Sequence, residues 1–194
     1  MIVGITGGMG CGKSTVARLL ETAGLRRLDS DELVREKVLR DPNVVSSLHR
    51  RFGPNVLTAD GRVDRAFLAD KVFADLKELQ WLEELTHPLV FALWRAAFAA
   101  EPQARWVVEV PLLFEKGLEN WFDFTLCVAC SPALQLARLE QRGIPREFAG
   151  QRISKQLPLA QKIELSDIVL WNEGSTSFLQ AEIDHLANRL AAAS

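Results

Sequence analysis

A glycine-rich segment that ends in a lysine and a serine lies near the start of the chain. The residues from Gly7 to Ser14 read GGMGCGKS and match the pattern G-x-x-x-x-G-K-S/T in full. In such a loop, backbone N–H groups point inward around phosphate oxygens, and glycine leaves that space open. Lys13 is then placed to reach the β- and γ-phosphates of a nucleotide, and the Ser14 hydroxyl to ligate Mg²⁺. The segment therefore indicates the binding and transfer of phosphoryl groups.

The sequence on either side of this loop predicts the two elements that a phosphate site requires. Residues 2–6 form a short apolar run typical of a buried strand, and residues 13–23 carry apolar side chains at helical spacing. The start of that helix adds the positive end of its dipole to the site. An accidental glycine-rich turn does not explain this context. The ATP-binding residues predicted here are Gly8, Gly10, Cys11, Gly12, Lys13, Ser14 and Thr15.

The composition is that of an ordinary globular protein and excludes several classes. Hydrophobic residues make up 48% and charged residues 25%, so a core can form without disulfides or a structural metal. The net charge of -2 argues against a nucleic-acid partner, and no apolar run is long enough to span a membrane. The N-terminus resembles a strand rather than a signal peptide, and the odd number of cysteines indicates reduced thiols. We therefore expect a cytoplasmic protein without a membrane or nucleic-acid partner.

Strands alternate with helices outside two stretches that are helical throughout. Strands are predicted at residues 2–6, 25–29, 105–110, 124–130 and 167–171. The alternation predicts a three-layer α/β fold with a central parallel sheet of about five strands. We expect one domain over residues 1–194, with a core at about 1–31, 105–137 and 165–194, a helical acceptor-binding lobe at about 32–104 and a lid at about 138–164.

The glycine-rich motif alone fits a GTPase, an ATPase motor or a kinase, and other features favour the kinase. GTPases recognise guanine with an N-K-x-D motif, and the chain contains no Asn-Lys pair. The length of 194 residues excludes most motors. A small kinase needs one mobile lobe for the acceptor and one that closes over ATP, and the two helical stretches lie in suitable places.

Beyond the loop, an ordered set of segments resembles the dephospho-CoA kinase family over essentially the whole chain. These segments are GGMGCGKST, LDSDELVR, DGRVDR, HPLV, PLLFE, a basic stretch and WNEGS. The resemblance implies that the γ-phosphoryl group of ATP, with Mg²⁺, is transferred to the ribose 3′-hydroxyl of dephospho-CoA, the last step of coenzyme A biosynthesis.

The chain departs from the family pattern at a few positions. The departures are Met9 for isoleucine, Cys11 for serine, Ser30 for alanine, Glu109 for aspartate and Trp171 for a smaller or acidic residue. None of them removes a side chain that the chemistry needs.

Two aspartates, Asp29 and Asp31, lie at the end of the second predicted strand. Phosphorylation of a hydroxyl needs a group that accepts or orients its proton, and Asp31 matches the second aspartate of the family's D-A-D segment. Asp31 is therefore the predicted base, and it equally suits an N-cap for a helix at 32–40. The two roles are compatible. Asp29 is an alternative partner for the water shell of Mg²⁺.

A strand-end acid and a basic stretch complete the predicted phosphoryl-transfer machinery. Glu109 ends an apolar strand and fits an acid that acts on Mg²⁺, although a partly exposed strand-end carboxylate is the plainer alternative. Residues 138–162 carry six basic and two acidic side chains. Arg138 and Arg142 share a helix face, so we predict Arg138 in catalysis and Arg142 in ATP binding, against the alternative of a solvated helix surface.

The resemblance also assigns the acceptor site. It places dephospho-CoA against His87, Pro88, Leu112, Leu113 and Glu115. For His87 the alternative is a structural histidine at a helix start, and for the leucines it is core packing.

The last predicted strand leads into Asn172-Glu173-Gly174, where nucleotide kinases place the adenine loop. We therefore predict that Asn172 binds ATP, with a simple turn as the alternative. Cys127 and Cys130 lie three apart on a strand and face opposite ways, so a metal or redox pair between them is not expected.

Two other functions remain open at this point. One is a P-loop kinase for a nucleoside monophosphate or another small molecule, and the other is a nucleotide-binding regulatory protein without turnover. The sequence leaves the oligomeric state open.

Overall fold

The structure is a computed structural model, and it describes residues 1–192. Contacts divide the chain into two compact units. The first contains Met1–Asp29 and the chain from Gln103 onward, and the second contains Ser30–Pro102.

The first unit is built on a five-stranded sheet. Its strands are β1 (Ile2–Gly7), β2 (Arg26–Asp29), β3 (Trp106–Glu109), β4 (Phe124–Ala129) and β5 (Ile168–Trp171). They are hydrogen-bonded in the order β2-β3-β1-β4-β5, and every neighbouring pair is parallel. The central strands are apolar without alternation, as strands covered on both faces should be. This confirms the predicted α/β fold and its parallel sheet.

Nine α-helices are found in residues 1–192. They are α1 (Lys13–Thr22), α2 (Ser30–Glu36), α3 (Pro42–Phe52), α4 (Arg65–Ala74), α5 (Leu76–Ala100), α6 (Pro132–Gln141), α7 (Arg146–Ser154), α8 (Leu159–Leu165) and α9 (Thr176–Ala192). Helices α2 to α5 belong to the second unit and the others to the first. Among the described residues, no helix is both long enough and apolar enough to cross a membrane.

The core of the first unit lies between the sheet and helices α1 and α9. Ile5 of β1, Leu20 of α1 and Ile183 of α9 are all fully buried in it. Helix α9 has the predicted extent of 176–192, and its apolar residues at three- and four-residue intervals form the buried face. This packing fixes the end of β1, from which the glycine-rich loop continues.

The second unit is held by its own core and by acidic caps. Leu48, Leu68 and Trp94 are buried. The carboxylates of Asp41 and Asp64 accept hydrogen bonds from the first backbone N–H groups of α3 and α4.

Three local expectations were wrong. The helix predicted at 32–40 begins earlier, at Ser30, and ends at Glu36 before a short 3-10 turn. The basic helical stretch after residue 145 is two helices, α7 and α8, because Pro158 starts a new one. His87 is not at a helix start, since Pro88 lies inside the 25-residue helix α5.

Candidate active site

The glycine-rich loop joins the end of β1 to the start of α1. Gly7, Gly10 and Gly12 have φ angles of 137°, 81° and 97°, which side chains other than glycine rarely allow. A Cβ atom on Gly7 would lie 2.1 Å from the Val128 carbonyl oxygen, and one on Gly12 would lie 2.3 Å from Asn172 Nδ2. Glycine is therefore needed at both positions for its backbone conformation and for its lack of volume.

Three side chains hold the loop by its carbonyl oxygens. Asn172 Nδ2 donates to the Cys11 oxygen at 2.8 Å, and Gln135 Nε2 donates to the Met9 oxygen at 2.8 Å. Arg138 makes longer contacts of 3.4 Å from Nη1 to the Cys11 oxygen and from Nη2 to Asn172 Oδ1. Asn172 and Gln135 are buried, so these bonds are shielded from water. The loop is thus fixed by α6 and by the residue that follows β5.

The start of α1 is arranged to attract an anion. Its first turn contains no acidic residue, and its N-cap, Gly12, offers no side chain to the free N–H groups. Lys13 Nζ donates to the Gly7 and Gly8 oxygens at 3.1 and 3.0 Å, which holds its ammonium at the loop. Ser14 is exposed in the same turn.

A cleft of about 190 Å³ opens beside the loop. It is lined by Gly12, Thr15, Arg138, Arg142, Asn172, Gly174, Thr176 and Leu179. The cleft is thus lined by the side chains of Arg138 and Arg142, by the start of α1 and by the segment after β5. Such a surface suits the anionic and planar parts of a nucleotide.

The carboxyl ends of β2 and β3 carry an ion cluster. Glu109 is 4% exposed, and its Oε1 accepts from Arg27 Nε at 2.7 Å. Arg27 Nη2 lies 2.9 Å from Asp29 Oδ2, and Asp29 is paired with Glu109 in the sheet register. The alternative of a partly exposed Glu109 is wrong, because the side chain is buried and paired. Sequence reasoning missed Arg27, although its two-residue separation from Asp29 on a strand places both on one face.

The half-buried Glu115 forms a second ion pair, with the fully buried Lys162. Lys162 is fully buried, and its Nζ lies 2.8 Å from both Glu115 Oε1 and the Pro111 oxygen. Glu115 Oε1 also accepts from the Leu157 N–H at 2.9 Å. The alternative of a solvated helix surface is therefore wrong for Lys162. Lys162 ties α8 to the segment that follows β3.

Of the other basic residues of this stretch, Arg138 is half-buried and four are exposed. The exposed ones are Arg142, Arg146, Arg152 and Lys155. Leu112 is also exposed, whereas Leu113 is fully buried, as the core-packing alternative predicts.

Three residues predicted for the acceptor lie in the second unit. Asp31 is exposed in the first turn of α2, where a carboxylate interacts favourably with the helix dipole. Because α2 begins at Ser30, Asp31 lies inside the helix and is not its N-cap. His87 and Pro88 lie within α5, and the His87 ring contacts Phe91 with centroids 5.8 Å apart.

The residues at the loop fit a magnesium ion that arrives with a nucleotide. In residues 1–192, no three His, Cys, Asp or Glu side chains form a metal-binding group. Mg²⁺ bound to nucleotide phosphates needs only one or two protein oxygens, and the exposed Ser14 hydroxyl offers one. To act on the magnesium ion, Glu109 would have to use the carboxylate that is already paired with Arg27.

Comparisons with known proteins show what the chain is similar to. The family model described as dephospho-CoA kinase matches residues 1–177. A dephospho-CoA kinase of Thermosynechococcus vestitus is 42% identical over 184 residues, which cover 94% of this chain and 91% of that protein.

Solved structures show the same fold. A crystal structure of a Thermus thermophilus protein, 37% identical, superposes with a TM-score of 0.87 and covers 100% of this chain and 98% of that one. A dephospho-CoA kinase from Campylobacter jejuni, 22% identical, has a TM-score of 0.74 with coverages of 99% and 98%, and supports the fold.

We expect Lys162→Met to lower the free energy of unfolding by about 3 kcal/mol, because it leaves the half-buried Glu115 carboxylate, whose Oε2 is buried without a hydrogen-bond partner, without its cation. Lys155→Met is the matched control: this exposed lysine should change stability by less than about 0.5 kcal/mol. Adding Glu115→Gln to Lys162→Met should cost less than the sum of the two single changes. Urea unfolding of Lys162→Met, Lys155→Met, Glu115→Gln and the double variant measures these free energies. Equal stabilities of the two lysine variants would contradict the buried pair.

Proposed function

The chain belongs to the dephospho-CoA kinase family, and we propose that it transfers the γ-phosphoryl group of ATP to the ribose 3′-hydroxyl of dephospho-CoA, the last step of coenzyme A biosynthesis. The observation that carries this proposal is the phosphate-binding loop, held by Asn172, Gln135 and Arg138, within a family match that covers residues 1–177. We place the reaction in the cytoplasm, whose reducing conditions fit the three free cysteines.

The loop and the start of α1 bind the phosphates of ATP in this proposal. Backbone N–H groups of Gly8, Gly10 and Gly12 face the phosphate oxygens, with the Lys13 ammonium as the fixed positive charge. The Ser14 hydroxyl would hold Mg²⁺, and Glu109 would be a second oxygen ligand or a partner of its water. When bound, the ion neutralises charge that develops on the phosphoryl oxygens.

The cleft beside the loop takes the remaining parts of the nucleotide. Arg142 is exposed at its edge, and Gly174 leaves room for a base to approach the backbone. Asn172 contributes indirectly, because its amide is engaged by the Cys11 oxygen and by Arg138.

Arg138 is the residue for which the catalytic proposal is most specific. Its guanidinium already reaches the loop through the Cys11 oxygen, at a distance of 3.4 Å that leaves it free to reorient. A planar guanidinium can bind the phosphoryl oxygens at two points as charge develops on them. The stretch 138–164 then acts as the lid that closes over ATP.

The acceptor is proposed to lie against the residues that the family resemblance names. They are Asp31, His87, Pro88, Leu112, Leu113 and Glu115. Asp31 accepts the proton of the attacking hydroxyl, and its exposed carboxylate is suited to that role. Leu113 is fully buried, so its contribution is to support the backbone of this segment.

The proposed reaction is tested by the release of ADP with a panel of acceptors. The purified protein is given Mg²⁺ and ATP with dephospho-CoA, AMP, CMP or shikimate, and the product is identified by mass. We expect turnover with dephospho-CoA that exceeds the other three by several powers of ten in kcat/KM. Comparable or higher activity with AMP, CMP or shikimate would indicate a different small-molecule kinase. No turnover with any acceptor would favour a regulatory nucleotide-binding protein.

Asp31→Asn should lower kcat by at least about a hundredfold, because the amide cannot take the hydroxyl proton. The KM for ATP should stay within about threefold, since Asp31 is not proposed to bind the nucleotide. Glu32→Gln is the matched control, because Glu32 is an exposed acid in the same first turn of α2. Its kcat should stay near that of the wild type. A kcat of Asp31→Asn within about threefold of wild type would remove Asp31 from the mechanism.

A further inference from the structure

Two thiols meet beneath the phosphate-binding loop. Cys11 is a loop residue, and Cys130 directly follows β4. Their sulfur atoms are 3.3 Å apart, with the Cys130 thiol as donor to Cys11. Both side chains are at most 1% exposed, and both are free thiols.

We propose that Cys11 and Cys130 form an intramolecular disulfide when the protein meets a peroxide, and that this bond reversibly blocks nucleotide binding. The Cys11 thiolate attacks the peroxide O–O bond and becomes a sulfenic acid, and the released hydroxide takes a proton to form water. The Cys130 thiol then displaces the sulfenic hydroxyl, which leaves as a second water with the thiol proton. In sum, two thiols are oxidised and one peroxide is reduced to two waters.

The surroundings of the pair decide which thiol reacts first. The hydrogen bond from Cys130 and the nearby charge of Lys13 lower the pKa of Cys11 to about 7, although burial opposes them. The same hydrogen bond and burial raise the pKa of Cys130, with Arg138 opposing and Glu173 assisting that rise. Cys11 is therefore the thiol with the larger thiolate fraction and the one proposed to attack the peroxide, with Cys130 as the resolving thiol.

The third cysteine, Cys127, serves as an internal control for the oxidation of the pair. Burial raises the pKa of Cys127 to about 11, so this thiol stays protonated and unreactive. Among the described residues, no hydrogen bond joins the Cys127 sulfur to Cys11 or Cys130.

The disulfide must disturb the loop. A disulfide bond is about 2.05 Å long, so the two sulfurs have to move together from 3.3 Å. β4 is an inner strand of the sheet and Cys130 is anchored at its end, so the loop is the part that shifts. The Cys11 carbonyl is the oxygen that Asn172 and Arg138 hold, and its displacement loosens the phosphate site. A bound nucleotide fixes the loop and should slow the reaction.

To test the proposal, the protein is treated with hydrogen peroxide, and its binding of ADP is measured by calorimetry. We expect the intact mass to fall by two hydrogen atoms, a linked peptide pair that contains Cys11 and Cys130, and at least a tenfold loss of ADP affinity. Dithiothreitol should restore binding, and ADP present during oxidation should protect. The rate of bond formation should rise as pH increases through about 7, because the thiolate of Cys11 is the reacting form.

Two variants separate this proposal from general oxidative damage. Cys127→Ala should oxidise like the wild type, whereas Cys130→Ala should bind ADP before treatment and keep its affinity after it. Equal loss in Cys130→Ala, a sulfinic acid on Cys11 without a cross-link, or a cross-link with unchanged ADP affinity would each overturn the proposal. If Cys130→Ala does not fold, the linked peptide and its reversal in the wild type decide the question. Because ADP binding is measured directly, the result does not depend on whether dephospho-CoA is the acceptor.

Discussion

The left-handed backbone of Gly12, packed against the buried amide of Asn172, is the constraint on which the phosphate site depends. A Cβ atom on Gly12 would meet Asn172 Nδ2 at 2.3 Å, and that amide in turn holds the Cys11 oxygen at 2.8 Å. The loop therefore has its binding conformation before a nucleotide arrives. Nucleotide binding then does not have to pay the conformational entropy of ordering the loop backbone. Asn172 can play this part because it follows β5, whose neighbour β4 lies next to the strand that carries the loop.

Two groups of ion pairs, each with one buried member, also hold parts of the first unit together. Arg27 joins Asp29 to Glu109 across two strand ends, and Lys162 joins α8 to Glu115. A buried ion pair adds little net stability over an apolar pair of the same size, but it penalises any arrangement that leaves one charge alone. Glu109 ends β3 and Glu115 lies in the segment that follows it, so both pairs hold the chain that leaves the carboxyl end of this strand.

The fold was predictable because its signals are local. Apolar runs without alternation indicated strands buried on both faces, and the helical spacing after Ser175 gave the extent of α9. The loop was predictable from glycine, lysine and serine alone. The pairing of Arg27 with Glu109, and of Lys162 with Glu115, was not, because these partners are far apart in the sequence. The same holds for Cys11 and Cys130, whose contact depends on the register of β1 and β4.

The claim that the braced loop is the catalytic phosphate site is tested most directly through Lys13. The Lys13 ammonium donates hydrogen bonds to the Gly7 and Gly8 oxygens. Removal of this side chain should therefore change the charge of the site more than it changes the fold. The decisive measurement is kcat of Lys13→Ala with ATP and dephospho-CoA, alongside circular dichroism of the same sample. A native spectrum with a kcat reduced by several powers of ten is the predicted result. A native spectrum with near-normal kcat would contradict the assignment of the loop.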